Sequence, residues 1–276
     1  MKPRPIIRYH GGKHKLAPWI ISFFPEHRCY VEPYGGAASV LIRKPRSYAE
    51  VYNDLDGEVV NLFKVARDNG AELQRVLELT PFARDEYIES YQPSDDPVEQ
   101  ARRTICRAFM GFGSAAVTKA RHVTGRFQNP STGFRSNSNR SGTTPAHDWA
   151  NYPGKFPIII ERLQGVVIEN RDALMVMAQH DSPTTLHYVD PPYAADTRDA
   201  GKDYQHEMTE DDHVKLATFL KNLTGYVMVS GYRNSLYDTL FQGWHREDKA
   251  ALADGAKKRT ESIWFSPNFP VKSGLI

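Results

Sequence analysis

The tetrapeptide Asp190-Pro191-Pro192-Tyr193 combines the residue types that chemistry on an amino group requires. Proline has no N–H and a fixed φ, so two in succession present rigid carbonyl groups. A carboxylate precedes them and an aromatic ring follows. Such a turn could accept hydrogen bonds from a planar amine while the ring stacks on the heterocycle that carries it. The simpler interpretation is that the prolines end a strand and Tyr193 packs nearby, so the sequence context has to decide.

A second candidate site is the turn of residues 32–36, which reads Glu-Pro-Tyr-Gly-Gly. Glycines after a strand let a ligand approach the backbone closely, and Glu32 favours a cationic or hydrogen-bond-donating ligand over a phosphate. Asp54 occupies the end of the next apolar segment, where the acidic residue of dinucleotide-binding folds accepts from ribose hydroxyls. Glu32 alone could equally be a surface carboxylate, but the combination with Asp54 favours a ligand site.

Two further positions are less specific. Residues 9–13 (Tyr-His-Gly-Gly-Lys) precede a helix-like stretch, and their glycines and Lys13 could bind a carboxylate at a helix start. An ordinary N-terminal turn explains the same residues equally well. Asp172 follows another strand-like segment, and it could either contact a ligand or serve only as the N-cap of the next helix.

Short apolar segments alternate with helix-like stretches through most of the chain. The predicted strands cover residues 28–33, 47–55, 166–169, 184–189 and 225–230. The predicted helices cover residues 14–24, 37–44, 58–79, 98–110, 172–179 and 209–223. A terminal hairpin is predicted from residues 244–252 and 262–265. This alternation predicts an α/β fold with a doubly wound, mostly parallel sheet, whose strand ends would carry the acidic turns.

Charge is distributed unevenly along the chain, although the formal net charge is only +2. Residues 100–147 contain no Asp or Glu and carry eight of the 35 Lys and Arg residues, so the remainder is net acidic. A basic segment on an acidic body favours contact with a polyanion, and a solvated loop of incidental charge is the alternative. Residues 111–153 are also poor in aliphatic side chains, which is typical of a functional or disordered loop.

Composition excludes several classes of protein. The mean hydropathy of −0.54 and the absence of a long apolar run argue against a membrane span, and no apolar segment of signal-peptide type follows the N-terminus. Cys29 and Cys106 lie far apart and show no metal-ligand spacing. We therefore expect a cytoplasmic protein with reduced thiols and no metal site.

Four motifs occur in a fixed order: Tyr9-His10-Gly11-Gly12-Lys13, Val31-Glu32-Pro33-Tyr34-Gly35-Gly36, Asn53-Asp54 and Asp190-Pro191-Pro192-Tyr193. With them the chain resembles the Dam-type adenine-N6 DNA methyltransferases of bacteria and their phages. The resemblance covers most of residues 6–70 and 155–270. Two positions depart from the family pattern, since Tyr9 stands where tryptophan is common and Ala38 where many relatives have a second spaced glycine.

The resemblance implies a Rossmann-like methyltransferase sheet with a small inserted target-recognition region. Residues 1–80 and 155–276 would form the catalytic domain, and residues 81–154 would form the basic DNA-recognition insertion. The implied partner is double-stranded DNA, and we expect a monomer. The expected DNA contacts are Lys119, Arg121, Arg126, Arg135 and Arg140.

The resemblance also implies that S-adenosylmethionine is the cofactor. Its expected ligands are Tyr9, Lys13, Glu32, Pro33, Tyr34, Gly35, Gly36, Asp54, Asp172 and Asp190. Within this set, Lys13 would lie near the cofactor carboxylate, residues 32–36 near the methionine portion, Asp54 near the ribose and Asp172 near the adenine ring.

The catalytic residues implied are Asp190, Pro191, Pro192 and Tyr193. Asp190 and the Pro191 carbonyl would accept from the amine of an adenine flipped out of the duplex, and Tyr193 would stack on it. The alternatives are methylation of cytosine in DNA, adenine in RNA or a protein glutamine, or a catalytically silent nucleic-acid-binding module on the same fold.

Overall fold

The computed structural model describes residues 5–113, 117, 122–124, 127–130, 132–136, 143–193, 206–252 and 258–270. These residues form nine strands, namely β1 (Cys29–Glu32), β2 (Ala49–Asn53), β3 (His122–Thr124), β4 (Phe127–Asn129), β5 (Val166–Glu169), β6 (Thr185–Val189), β7 (Tyr226–Tyr232), β8 (His245–Leu252) and β9 (Lys258–Phe265). Seven of them build one sheet in the order β5-β2-β1-β6-β7-β9-β8, and β3 pairs separately with β4. The first five strands of the large sheet are parallel, and β9 is antiparallel to its two neighbours. This confirms the predicted α/β class and the terminal hairpin.

The helices of the described residues are α1 (Ala17–Ser22), α2 (Gly57–Asp68), α3 (Gly70–Leu79), α4 (Arg84–Glu89), α5 (Pro97–Met110), α6 (Pro145–Ala150), α7 (Phe156–Leu163), α8 (Ala173–His180), α9 (Glu210–Leu220) and α10 (Ser235–Leu240), with a 3₁₀ turn at Pro153–Lys155. Alternate residues of the central strands point to opposite faces of the sheet. Tyr30 and Tyr52 pack with α2 and α5, whereas Val31 and Val51 pack with α8 and α9. Within the described part of the chain, no helix is long and apolar enough to cross a membrane.

The sheet changes direction between β1 and β6. From β1 the chain builds β2 and β5 on one side, and it then returns to build β6 and β7 on the other. In open α/β sheets, the loops at such a switch point diverge and leave a crevice at the carboxyl ends of the strands. Glu32 ends β1, and Asp190 directly follows β6, so both carboxylates are delivered to this crevice.

The predicted helix at residues 37–44 is wrong, because the chain there forms a series of turns. Gly36 and Ala38 have φ angles of 47° and 51°, in the left-handed region that a right-handed helix cannot contain. The Leu41 N–H donates to Glu32 Oε2 at 2.9 Å instead of continuing a helical ladder. The buried Glu32 carboxylate is thus the acceptor for the Leu41 N–H, while the N–H groups of residues 42–44 donate to the carbonyls of Ala38 and Val40 within the turns.

The single helix predicted over residues 58–79 is two helices, broken between Asp68 and Gly70. A Cβ atom at Gly70 would lie 2.5 Å from the Ile160 Cδ1 atom of α7. The absence of a side chain at Gly70 thus lets Ile160 pack closely on the start of α3. Likewise, only Ala17–Ser22 is helical in the stretch predicted over residues 14–24.

Three arginines of the basic segment stabilise the fold through ion pairs made by α5. Arg102 lies 2.7 Å from Glu99 and 2.6 Å from Glu86, and Arg103 shares Glu99 at 2.6 Å. The Arg107 guanidinium, with only 1% of its side chain exposed, pairs with Glu58 of α2. The prediction that cations of residues 100–147 contact a polyanion is therefore corrected for these three arginines, because glutamates of the protein itself neutralise them.

We predict that Arg107→Ala destabilises the fold without changing the salt dependence of DNA binding. Removing one partner of a buried ion pair leaves the other uncompensated, and we expect a loss of about 3 kcal/mol in the free energy of unfolding, measured by urea titration. Arg75→Ala is the control, because the exposed Arg75–Glu72 pair on α3 contributes little. An Arg107 variant of normal stability with weakened DNA binding would contradict the structural role.

Candidate active site

A cavity of about 480 Å³ lies at the switch point of the sheet. The cavity is lined by all ten residues predicted to bind a cofactor and by three of the four predicted catalytic residues, of which Asp190 belongs to both sets: Tyr9, Lys13, Glu32, Pro33, Tyr34, Gly35, Gly36, Asp54, Asp172, Asp190, Pro191 and Pro192. They come from the N-terminal segment and from the ends of four parallel strands. The structure thus brings residues separated by up to 183 positions to one cavity, as expected for residues at the carboxyl ends of parallel strands.

The glycine turn after β1 is closely packed. A Cβ atom at Gly35 would lie 2.1 Å from the Tyr52 ring, and Gly36 adopts a positive φ beside the Tyr9 ring. The Tyr52 hydroxyl donates to the Gly36 carbonyl at 2.8 Å, and the Gly36 N–H donates to Asp54 Oδ2 at 2.8 Å. Both glycines are therefore required for the turn to follow the cavity wall.

Asp54 is held by two backbone donors, since its Oδ1 also accepts from the Asp56 N–H at 2.9 Å. Burial raises the pKa of Asp54 to about 6, and the two N–H donors oppose this shift. Asn53 ties the neighbouring turns together, because its side-chain amide donates to the carbonyls of Pro33 and Arg171. This arrangement presents a preorganised carboxylate on the cavity wall.

Glu32 is 2% exposed and accepts from the Tyr30 hydroxyl at 2.7 Å, in addition to the Leu41 N–H. Burial raises its pKa to about 8, and the negative charge of Asp190 acts in the same direction. The two donors lower the pKa without compensating for burial. Glu32 therefore holds a proton at neutral pH, and a cationic ligand in the cavity would favour its ionised form.

Asp190 lies at the centre of a buried polar cluster. Its Oδ1 atom is 2.9 Å from Lys13 Nζ and accepts from the Ser230 hydroxyl at 2.7 Å and the Tyr193 hydroxyl at 3.3 Å. The Tyr193 hydroxyl also donates to Glu261, whose Oε1 lies 3.6 Å from Lys13 Nζ. Two carboxylates thus share one ammonium group and one phenol.

Two predicted residues make contacts that the sequence did not indicate. Tyr193 is 6% exposed and does not line the cavity; its ring packs edge-on against Tyr232. Lys13 lines the cavity, and its Nζ lies 4.6 Å from the centroid of the Tyr193 ring and 2.9 Å from Asp190 Oδ1. Asp172 caps α8, accepting from the Leu174 and Met175 N–H groups, and lines the cavity as well.

Sequence reasoning assigned no role to three residues of this site. Ser39 lines the cavity, and its buried hydroxyl has no hydrogen-bond partner among the described residues. Ser230 and Glu261 lie on β7 and β9, where they complete the Asp190 cluster. The sequence signal is weak: Ser230 is a single polar residue between Val229 and Gly231 of β7, whereas Glu261 is one of five consecutive polar residues that begin β9.

A second cavity, of about 630 Å³, adjoins the first and shares Tyr9, Gly12, Ala37 and Ser39 with it. Its wall combines cationic with aromatic side chains: Arg8, Arg135, Lys155, Phe109, Phe112 and Tyr152. Phe112 is 66% exposed, while its N–H donates to the Gly133 carbonyl at 2.7 Å. A fixed backbone thus presents an exposed ring beside three cations, and neither Phe112 nor Lys155 was singled out from the sequence.

Of the predicted DNA-binding residues, Arg135 lies in this second cavity, and its guanidinium donates to the Phe109 carbonyl at 2.9 Å. Lys119, Arg121, Arg126 and Arg140 lie outside the described residues. No cluster of three or more His, Cys, Asp or Glu side chains suited to a metal ion occurs in the described ranges.

We predict that Glu32→Gln stabilises the fold more at pH 8 than at pH 5. Folding raises the pKa of Glu32 from 4.5 to about 8, so the folded protein retains a proton that the unfolded chain releases. The free energy of unfolding therefore falls by on the order of a few kcal/mol as pH rises from 4.5 to about 8, and glutamine, which does not titrate, removes this loss. Thermal unfolding at both pH values measures it, with the exposed Glu78→Gln as control. An equal effect of Glu32→Gln at both values would show that Glu32 is already ionised.

Comparison with known proteins agrees with this geometry. The model of the D12 class N6 adenine-specific DNA methyltransferases matches residues 9–254. A type II methyltransferase, M1.LlaDCHI of Lactococcus lactis subsp. cremoris, is 24% identical over 279 aligned positions, which cover 92% of this chain and 90% of that protein. A DNA adenine methylase of Haemophilus influenzae is 30% identical over 70 residues, covering 25% of this chain and 24% of the methylase.

The family match spans both the acidic cavity and the Asp190 turn, and it confirms the resemblance seen in the ordered motifs. It also agrees with the doubly wound sheet and with the positions of the motifs at its strand ends. The chain therefore belongs to the D12 class N6 adenine-specific DNA methyltransferases.

Proposed function

We propose that this methyltransferase uses S-adenosylmethionine and methylates the N6 amine of an adenine flipped out of double-stranded DNA, with Asp190, Pro191, Pro192 and Tyr193 as the catalytic turn. The observation that carries the proposal is the position of Asp190, which lines an acid-walled cavity at the switch point of the sheet. One chain supplies every residue of this site, and we propose that the enzyme acts as a monomer in the cytoplasm.

The residues of the cavity fit this cofactor. S-adenosylmethionine supplies a methyl group that its sulfonium already activates. The wall offers Glu32, Asp54 and Asp172 to a ligand with a cationic centre and hydroxyl donors, and the unpartnered Ser39 hydroxyl is available for one more hydrogen bond. The turn of residues 32–36 would hold the methionine portion, Asp54 the ribose, and Tyr9 and Asp172 the remainder.

Asp190 is positioned to act on the target amine. Its Oδ1 atom is held by the Lys13 ammonium and the Ser230 hydroxyl, with the Tyr193 hydroxyl 3.3 Å away, so the carboxylate keeps one orientation. Hydrogen bonds from the amine to Asp190 and to the Pro191 carbonyl would favour a pyramidal nitrogen and stabilise positive charge as it develops there. The methylated amine loses its proton readily, and Asp190 therefore serves as an acceptor and not as a strong base.

The second cavity supports the proposal of a DNA-binding face. Lys155 and Arg135 would contact phosphates, and the exposed Phe112 ring would contact a nucleobase. We also propose phosphate contacts from Lys119, Arg121, Arg126 and Arg140, and a target-recognition role for residues 81–154. Flipping the target base gives its amine access to the buried Asp190 turn, and Tyr193 would provide the ring on which the base stacks.

We predict that Asp190→Ala abolishes methyl transfer while cofactor binding stays measurable. The substitution removes the acceptor for the amine but leaves the turn of residues 32–36 and Asp54 in place. Transfer from labelled S-adenosylmethionine to DNA measures the first effect, and calorimetry measures the second. Full activity of the variant would refute the catalytic assignment.

Lys155→Ala should weaken DNA binding and lower the slope of log K against log salt concentration by about 1, because one phosphate contact is lost. Lys221→Ala is the matched control, since the exposed Lys221 lies before the amino end of β7 and lines neither cavity. Fluorescence anisotropy over a salt series measures both slopes. Equal slopes for the two variants would exclude Lys155 from the DNA interface.

A further inference from the structure

Lys13 occupies both positions that the proposed adenine needs. Its ammonium lies 2.9 Å from the acceptor Asp190 Oδ1, where the target amine would donate. It also lies 4.6 Å from the centroid of the Tyr193 ring, in cation–π contact with the face on which the base would stack. In this structure a resident cation therefore stands in the place of the substrate.

Displacing Lys13 requires a second counter-ion. Only 5% of its side chain is exposed, and a buried ammonium without a partner costs several kcal/mol. Glu261 lies beside it, with Oε1 3.6 Å from Lys13 Nζ, and its carboxylate is almost fully buried. Glu261 belongs to β9, which is paired on both sides by β7 and β8, so its backbone position is fixed.

We propose that Glu261 is a positioning residue that receives Lys13 when the target base enters. Lys13 then shifts by about 1 Å to a full ion pair with Glu261, which weakens its contact with Asp190 Oδ1 and leaves that oxygen able to accept from the adenine amine. This proposal rests on the function proposed for Asp190. It assigns a role to a carboxylate that does not line the cavity.

The transfer of Lys13 also sets the charge that the reacting amine meets. The two carboxylates and one ammonium carry a net charge of −1 when both acids are ionised. Once Lys13 and Glu261 neutralise each other, Asp190 alone faces the amine, whose nitrogen becomes positive during methyl transfer. An unpaired carboxylate in a dry site stabilises that charge more than one already paired with lysine.

Several titratable groups face Glu261, and they determine its response to pH. Lys13, Asp190 and Tyr193 contact it or share its partners, while Tyr232 of β7 and Lys249 of β8 are its neighbours in register. Burial raises the pKa of Glu261, and Lys13 opposes the shift. At mildly acidic pH a protonated Glu261 cannot receive Lys13, and turnover should fall.

Two substitutions separate a role of the charge from a role in packing. Glu261→Gln keeps the length of the side chain and can accept from the Tyr193 hydroxyl, but it has no charge for Lys13. Glu261→Asp keeps the charge and shortens the side chain. The proposal predicts at least a tenfold loss of kcat for Glu261→Gln, a smaller loss for Glu261→Asp, and affinities for cofactor and DNA within about twofold of wild type.

Kinetics of the full-length variants at saturating cofactor and DNA test this order. A purely structural role predicts the reverse order of kcat, because glutamine keeps the length of the side chain and its contacts, whereas the shorter aspartate loses them. Either that order or a fully active Glu261→Gln would overturn the proposal. Should Glu261→Gln not fold, the wild-type profile decides, since kcat constant down to pH 4.5 would also overturn it. Wild-type enzyme that transfers no methyl group to DNA would instead contradict the proposed function itself.

Discussion

Burying a carboxylate is unfavourable unless donors surround it, and the Asp190 turn satisfies this constraint with donors from distant parts of the chain. Lys13 comes from the N-terminal segment, Ser230 from β7 and Tyr193 from the turn itself. The cluster forms only if β6 and β7 are adjacent and the N-terminal segment crosses the carboxyl edge of the sheet. Sheet order, the N-terminal turn and the catalytic geometry therefore depend on one another.

The cavity beside this cluster is suited to positive charge. Burial raises the pKa of Glu32 to about 8 and of Asp54 to about 6, so the cavity disfavours further negative charge. A cationic methyl donor would relieve this, and the reaction then passes positive charge from the donor to the amine beside Asp190. The same electrostatic design thus serves both binding and transfer.

Strand ends were predictable from the sequence because apolar segments and the turns after them are local patterns. Glu32, Asp54 and Asp190 reach one cavity by the rule that parallel strands share a carboxyl edge. Tertiary contacts determine features of the fold that local sequence patterns do not show. The positive φ of Ala38 interrupts the helix predicted over residues 37–44, the Ile160 side chain packs closely on Gly70, and Arg107 neutralises Glu58. The contact of Lys13 with Asp190 and Glu261 joins residues far apart in sequence, and no spacing could have shown it.

In the function we propose, the basic segment contacts the phosphates of DNA and the acidic cavity binds a cationic methyl donor. The most direct test of the proposed methylation is to incubate the protein with labelled S-adenosylmethionine and unmethylated double-stranded DNA. The DNA is then digested to nucleosides, and the labelled product is identified by mass spectrometry. The account predicts label in N6-methyldeoxyadenosine. Label confined to cytosine, or no label in DNA at all, would contradict it.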